Sequence, residues 1–130
     1  MKEILLTFDG GAKPNPGEGY GSFHIREDNK EIPKFSEIEQ FYGENLTSNQ
    51  TEYMAVIRGI RKVIQLYGTT IDLKIKGDSE LIVKQIRGEY KVKNKRMKPL
   101  YADAMELLMQ LHSYEIKYWN RENSVREFGH

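Results

Sequence analysis

An α/β fold is what the order of residues predicts: one mixed sheet with helices on both faces. Three observations carry that expectation. Up to residue 45 the chain holds three apolar or alternating runs separated by turn residues. From Asn49 the apolar residues switch to helical spacing, and two more short strand-like runs, 71–76 and 114–119, then alternate with helical stretches. A meander followed by strand–helix alternation is the pattern of a sheet that is antiparallel on one side and parallel on the other.

The first strand is Ile4 to Phe8, apolar enough to be buried on both faces as a central strand is. Asp9 follows in register, so it leaves the strand at the sheet's end. Pro14 and Pro16, with Gly10, Gly11, Gly17 and Gly19, then predict turns and close backbone approach. Residues 19–28 alternate loosely and form the second strand; residues 36–45 form the third. A long helix spans Asn49 to Tyr67 on the stripe Tyr53, Val56, Ile57, Ile60, Ile64 and Tyr67, closed by Gly68. Ile71 to Lys76 is the fourth strand. Asp78 or Ser79 starts a second helix that ends at Gly88, and a third runs from about Met97 to His112. Tyr114 to Trp119 is the last strand, and the residues after Asn123 predict one or two helical turns.

No linker or repeat divides the 130 residues, so 1–130 reads as a single domain large enough for its own core. The absence of cysteine removes disulfides, cysteine zinc sites and cysteine nucleophiles, and fits a reducing, cytoplasmic setting. No signal peptide is recognised at the start, and no run approaches the roughly 18 apolar residues of a membrane span. The net charge of +1 does not announce a nucleic-acid binder. Its distribution is more informative: Lys84, Arg87, Lys91, Lys93, Lys95, Arg96 and Lys98 face a single Glu89 across residues 84–98. That segment reads either as a solvated helix end or as a phosphate-facing patch.

Three carboxylates stand at element ends. Asp9 closes the first strand, Glu52 lies at the edge of the long helix's buried stripe, and Asp78 follows the fourth strand directly. If strands one and four are parallel neighbours, Asp9 and Asp78 emerge at one sheet edge, where ligands bind in such folds. Each acid has a plainer reading. Asp9 suits a turn, Glu52 could close a capping box at the helix start, and Asp78 could cap the second helix. Taken together, with no arginine predicted beside them, three converging acids call for a cation between them. Without histidine or cysteine partners, that cation is a hard one, Mg²⁺ or Mn²⁺.

FDGGAKPNPGEGYG, TSNQTEYMAVIRGI and IKGDSELIVKQI, in this order and spacing, resemble ribonuclease H of type 1 over nearly the whole chain. The closing YWNRENSVRE resembles it more weakly. The resemblance implies a five-stranded sheet of order 3-2-1-4-5. It also implies an endoribonuclease that cleaves the RNA strand of RNA–DNA hybrids with two Mg²⁺ ions, leaving 3′-hydroxyl and 5′-phosphate ends. Asp9, Glu52 and Asp78 would be metal ligands, with Asp9 bridging. The family's fourth acid follows an Asn by four residues, which from Asn123 points to Glu127 as a peripheral ligand, with Asn123 itself the alternative occupant. Gly10, Gly11, Asn15, Ser48 and Asn49 match positions that touch RNA, where the 2′-hydroxyl is the handle. Thr47 and Asn94 match positions that grip a DNA phosphate. The expected partner is thus the hybrid, bound by a monomer with no membrane and no obligate protein partner. Two departures stand out. Glu80 replaces an expected Gln, and the basic protrusion of some members is missing, which makes this a compact form. The rival reading is a hybrid-binding module with weak or lost catalysis.

Overall fold

β1 (Lys2–Lys13) is the axis of the molecule, and the other elements are placed by what they do to its two faces and two edges. The chain is seen in a computed structural model, which describes residues 1–28 and 30–129; His130 lies outside the described residues. After β1 come β2 (Gly17–Glu27), β3 (Phe35–Leu46), α1 (Ser48–Tyr67), β4 (Ile71–Gly77), α2 (Glu80–Ile86), α3 (Lys98–Leu108), β5 (Ser113–Tyr118) and α4 (Arg121–Phe128). The sheet order is β3-β2-β1-β4-β5. β1, β2 and β3 pair antiparallel, whereas β4 lies parallel to β1 and β5 parallel to β4. The mixed five-stranded sheet expected from the sequence is the one found.

Alternation along the strands makes the two faces unlike. Ile4, Leu6 and Phe8 of β1 share one face with Ile25 and Phe23 of β2 and with Leu73 and Ile75 of β4, and all are buried. α1 covers this face, with α3 and α2 packed beside it. The approach is close: a Cβ on Gly59 would stand 2.5 Å from Leu6 Cδ1. On the opposite face lie Leu5, Thr7 and Asp9, opposite Arg26, His24 and Ser22 of β2. Only α4 covers it.

Three expectations are corrected. β1 does not stop at Phe8 but continues to Lys13, because β2 offers a paired residue as far as Lys13↔Glu18. What ends at Phe8↔Gly77 is the parallel ladder with β4. Asp9 therefore sits within a strand, at the point where one edge of that strand loses its neighbour. α3 starts at Lys98 and ends at Leu108, inside the expected range, although Leu111 in the turn beyond stays buried. The expected short C-terminal helix is present as α4, but it starts at Arg121, ahead of Asn123, and is anchored by Phe128 (8% exposed). No helix among the described residues is long and apolar enough to cross a membrane.

Candidate active site

Beyond the Phe8↔Gly77 pair, β1 runs on alone on its β4 side, and three carboxylates enter the notch from three elements. Asp9 comes from β1, Glu52 from the second turn of α1, and Asp78 from the residue that follows β4. One oxygen of each lies within 4.8 Å of the others. With no β4 carbonyl opposite it, the Gly10 N–H donates to Glu52 Oε1 at 3.1 Å and to Asp9 Oδ1 at 3.0 Å. A Cβ on Gly10 would meet the Thr51 carbonyl carbon at 2.6 Å and the Glu52 nitrogen at 2.8 Å. Glycine here lets strand and helix backbones close up, and so delivers Glu52 to Asp9.

The plainer readings of two acids are removed by the caps. The capping box of α1 is Thr47 with Gln50: Gln50 N–H donates to Thr47 Oγ1 at 3.1 Å, and Thr47 N–H donates to Gln50 Oε1 at 2.9 Å. Glu52 is thereby free of that task. The N-cap of α2 is Ser79, whose hydroxyl accepts from Ile82 N–H, so Asp78 is free too.

Both buried acids are shifted upward. Burial, then the charges of Asp9 and Asp78, hold the Glu52 carboxyl well above the usual carboxylate range. Burial and the Asp78 charge push Asp9 up, against the pull of Arg121 and the Gly10 N–H. Glu52 Oε2 is a buried oxygen with no hydrogen-bond partner among the described residues. A buried orphan acceptor is costly. Within a set of three carboxylates, a hard divalent cation is the group that would satisfy it, so the residues fit Mg²⁺ or Mn²⁺.

A cation does stand at this site, contrary to the expectation that no arginine is near. Arg121 Nη1 donates to Asp78 Oδ2 at 2.8 Å and reaches Asp9 Oδ1 at 3.5 Å. Sequence reasoning missed it because Arg121 and Asp9 are 112 residues apart. The available signal was a lone arginine at the start of a helix due to land near the acids.

Glu127 is not brought to the three acids. Its carboxylate accepts from Arg26 Nη1 and from the Thr7 hydroxyl, with side-chain exposures of 16% for Arg26 and 12% for Glu127. The reason is register: Thr7 precedes Asp9 by two residues on the same face of β1, and α4 lies so that Glu127 falls beside Thr7. The Glu127 carbonyl accepts from His24 Nε2 at 3.0 Å. Asn123, the alternative occupant, is taken up at the helix start: its amide nitrogen donates to Asn120 Oδ1 and its Oδ1 accepts from Arg126 Nη2.

The other expected contact residues ring the site. Asn15 Oδ1 accepts from Ser48 N–H at 3.1 Å, fastening the β1–β2 turn to the first turn of α1, with Asn49 exposed beside it. Gly11 has open space where its Cβ would be and lines, with Asp9, Gly10 and Arg121, a cavity of about 330 Å³. Near Thr47, Arg96 reaches Asn45 O and Gln50 Oε1, each at 3.3 Å, and Asn94 Oδ1 accepts from Arg96 N–H. The basic loop thus docks on the N-terminus of α1. Glu80 is exposed and paired with Lys84 at 2.7 Å.

Comparison with known proteins agrees with this picture. Residues 7–126 match the family described as reverse transcriptase-like. The bifunctional protein Rv2228c of Mycobacterium tuberculosis is 32% identical over 109 residues, which is 83% of this chain and 29% of that protein. The chain spans the same 29% of an uncharacterized protein of Mycobacterium bovis, Mb2253c, at 32% identity. Among solved structures, the N-terminal RNase H domain of Rv2228c, a fusion with maltose binding protein, superposes with a TM-score of 0.89 at 25% identity. That match covers 97% of this chain and 88% of the other. LC11-RNase H1, solved in complex with RNA/DNA hybrid, gives 0.87 at 29% identity, covering 96% and 92%.

Proposed function

The chain belongs to the ribonuclease H-like family of metal-dependent endoribonucleases, in its compact type 1 form, and from that premise we propose that it hydrolyses the RNA strand of RNA–DNA hybrids. The observation that carries the proposal is the meeting of Asp9, Glu52 and Asp78 in the notch beyond the parallel ladder, with Glu52 Oε2 left without a hydrogen-bond partner among the described residues. Asp9, Glu52 and Asp78 would hold two divalent cations, Mg²⁺ or Mn²⁺, which when bound supply an activated water and stabilise the leaving 3′ oxygen. The products would carry 3′-hydroxyl and 5′-phosphate ends.

The chain's own residues do the positioning. Gly10 holds Asp9 and Glu52 in register through one N–H. The Asn15–Ser48 bond sets two polar groups and Asn49 beside the acids, where ribose 2′-hydroxyls would lie. Thr47, Asn94 and Arg96 surround the start of α1, whose positive dipole end suits a phosphate of the DNA strand. We propose a cytoplasmic setting, which suits its cysteine-free composition, and a monomer. A second reading, a hybrid-binding module with weak catalysis, is favoured by one observation: Glu127 is committed to Arg26 and Thr7.

A cleavage assay in Mg²⁺ on hybrid, duplex RNA and duplex DNA, with the product ends identified, tests all of this. Cutting of hybrid alone, abolished by EDTA and by replacing a run of ribonucleotides with deoxyribonucleotides, is the expected result. Tight hybrid binding without cutting selects the binding module. Equal cutting of duplex DNA removes ribonuclease H specificity.

A further inference from the structure

Arg121 sits among the acids in a way that suits a group able to leave. Its side chain is 63% exposed, while the carboxylates it meets, Asp9 and Asp78, are 4% and 7% exposed. One nitrogen, Nη1, serves both, at 3.5 Å and 2.8 Å, so the contact is not the two-pronged clasp that locks an arginine to a carboxylate. Its backbone starts α4, where the N-cap Asn120 has its side chain occupied by Asn123. The Arg121 side chain is therefore held at this place by the two acids.

We propose that Arg121 is the built-in counter-ion of the metal centre: without metal its guanidinium neutralises Asp9 and Asp78, and a divalent cation enters by displacing it. The inference rests on reading the three acids as a metal centre. It follows from the shared carboxylates. Asp78 Oδ2 and Asp9 Oδ1 face the guanidinium, and both carboxylates belong to the set of three that converge on the candidate metal position. A guanidinium cannot shed its proton to make room, so it yields by moving. A side chain this exposed moves at little cost, because solvent takes over the charge. Arg121 thus competes with the metal and sets the concentration at which the site fills. It also spares the metal-free protein the full repulsion of acids already pushed up by burial and by one another.

The test is a Mn²⁺ titration of the metal-free protein by calorimetry, on wild type, Arg121→Gln and Arg121→Lys. Thermal midpoints are measured for each in EDTA and in saturating Mn²⁺. Arg121→Gln should bind Mn²⁺ about two- to fivefold more tightly, the scale of one exposed ion pair released from competition. Its midpoint should fall below wild type in EDTA, and the two should converge in saturating Mn²⁺. Arg121→Lys, which keeps the charge, should stay closer to wild type on both measures. Equal or weaker Mn²⁺ affinity in Arg121→Gln overturns the counter-ion role while leaving the metal centre in place. A midpoint deficit as large in Mn²⁺ as in EDTA would make Arg121 a structural residue only. Failure of all three proteins to bind Mn²⁺ would overturn the counter-ion and the metal centre together.

Discussion

Two arginines meet carboxylates on the same face of the sheet, and their settings are opposite. Arg26 holds Glu127 in an enclosed cluster: Thr7 adds a hydroxyl, the Glu127 carbonyl takes His24 Nε2, and the His24 ring stacks on Phe128 at 4.8 Å with planes 7° apart. A carbonyl only accepts, so Nε2 carries the His24 proton and Nδ1 accepts from the Ser36 hydroxyl at 2.5 Å. Polar groups in this cluster are matched, and the result is the docking of α4. Arg121 instead lies open over Asp9 and Asp78, the Asp9 and Glu52 carboxyls are shifted upward, and Glu52 Oε2 has no hydrogen-bond partner among the described residues. A matched cluster holds the fold together; an unmatched one, kept in place by the fold around it, is where chemistry is expected.

The largest effect should come from the unmatched side. Asp78→Asn removes one proposed ligand and the closer partner of Arg121, and should lower hybrid cleavage at least about a hundredfold. The thermal midpoint in EDTA should hold within a few degrees, since like charges are relieved as an ion pair is lost. Near-normal cleavage in Mg²⁺ by this variant would make the Asp78 carboxylate dispensable and collapse the contrast.

Glu127→Gln is the converse. Breaking a largely enclosed pair while leaving Arg26 uncompensated should cost about 2 kcal/mol of stability, read from urea unfolding. The cleavage rate, measured well below the melting transition, should fall less than about threefold. A tenfold loss of rate with unchanged stability would show that Glu127 leaves Arg26 to serve the metals.

A smaller effect separates the two clusters by pH. The folded-state value of Glu52 is raised, so the folded protein holds a proton that the unfolded chain releases above about pH 4.5. Stability without metal is therefore lost as pH rises from there through the raised value. Glu52→Gln lacks this loss. In EDTA it should melt higher than wild type at pH 8, with the advantage shrinking toward pH 4. An advantage that is the same at both pH values would mean that Glu52 is not held protonated.

The smallest expected effect concerns the rim. Asn15→Ala removes the acceptor for Ser48 N–H at an exposed turn, and should change the thermal midpoint by no more than a few degrees. Its weakened discrimination between hybrid and deoxy-substituted hybrid, measured as a ratio of cleavage rates, should be the clearer readout. An unchanged ratio would take Asn15 out of RNA recognition.

The strands, the long helix and the meeting of Asp9, Glu52 and Asp78 are legible along the chain, because each depends on local period and on where an element stops. Alternation in β1 and β4 puts Asp9 and Asp78 at one edge as soon as the two strands are parallel neighbours, and the stripe of α1 puts Glu52 at its border. Gly68, with φ of 78°, closes α1 where the spacing predicts. Other features were decided in three dimensions. Gln50 and Ser79 took the capping roles open to Glu52 and Asp78, because the backbone is still extended at Thr47 and at Ser79 and each helix begins at the next residue. β1 outran its apolar run because β2 was there to pair with it. The partners of α4 were the least visible, since a helix of eight residues has little stability of its own and takes its position from what it docks against. That docking sends Glu127 to Arg26 and Arg121 to the acids, across 101 and 112 residues of chain, distances over which no sequence period carries information.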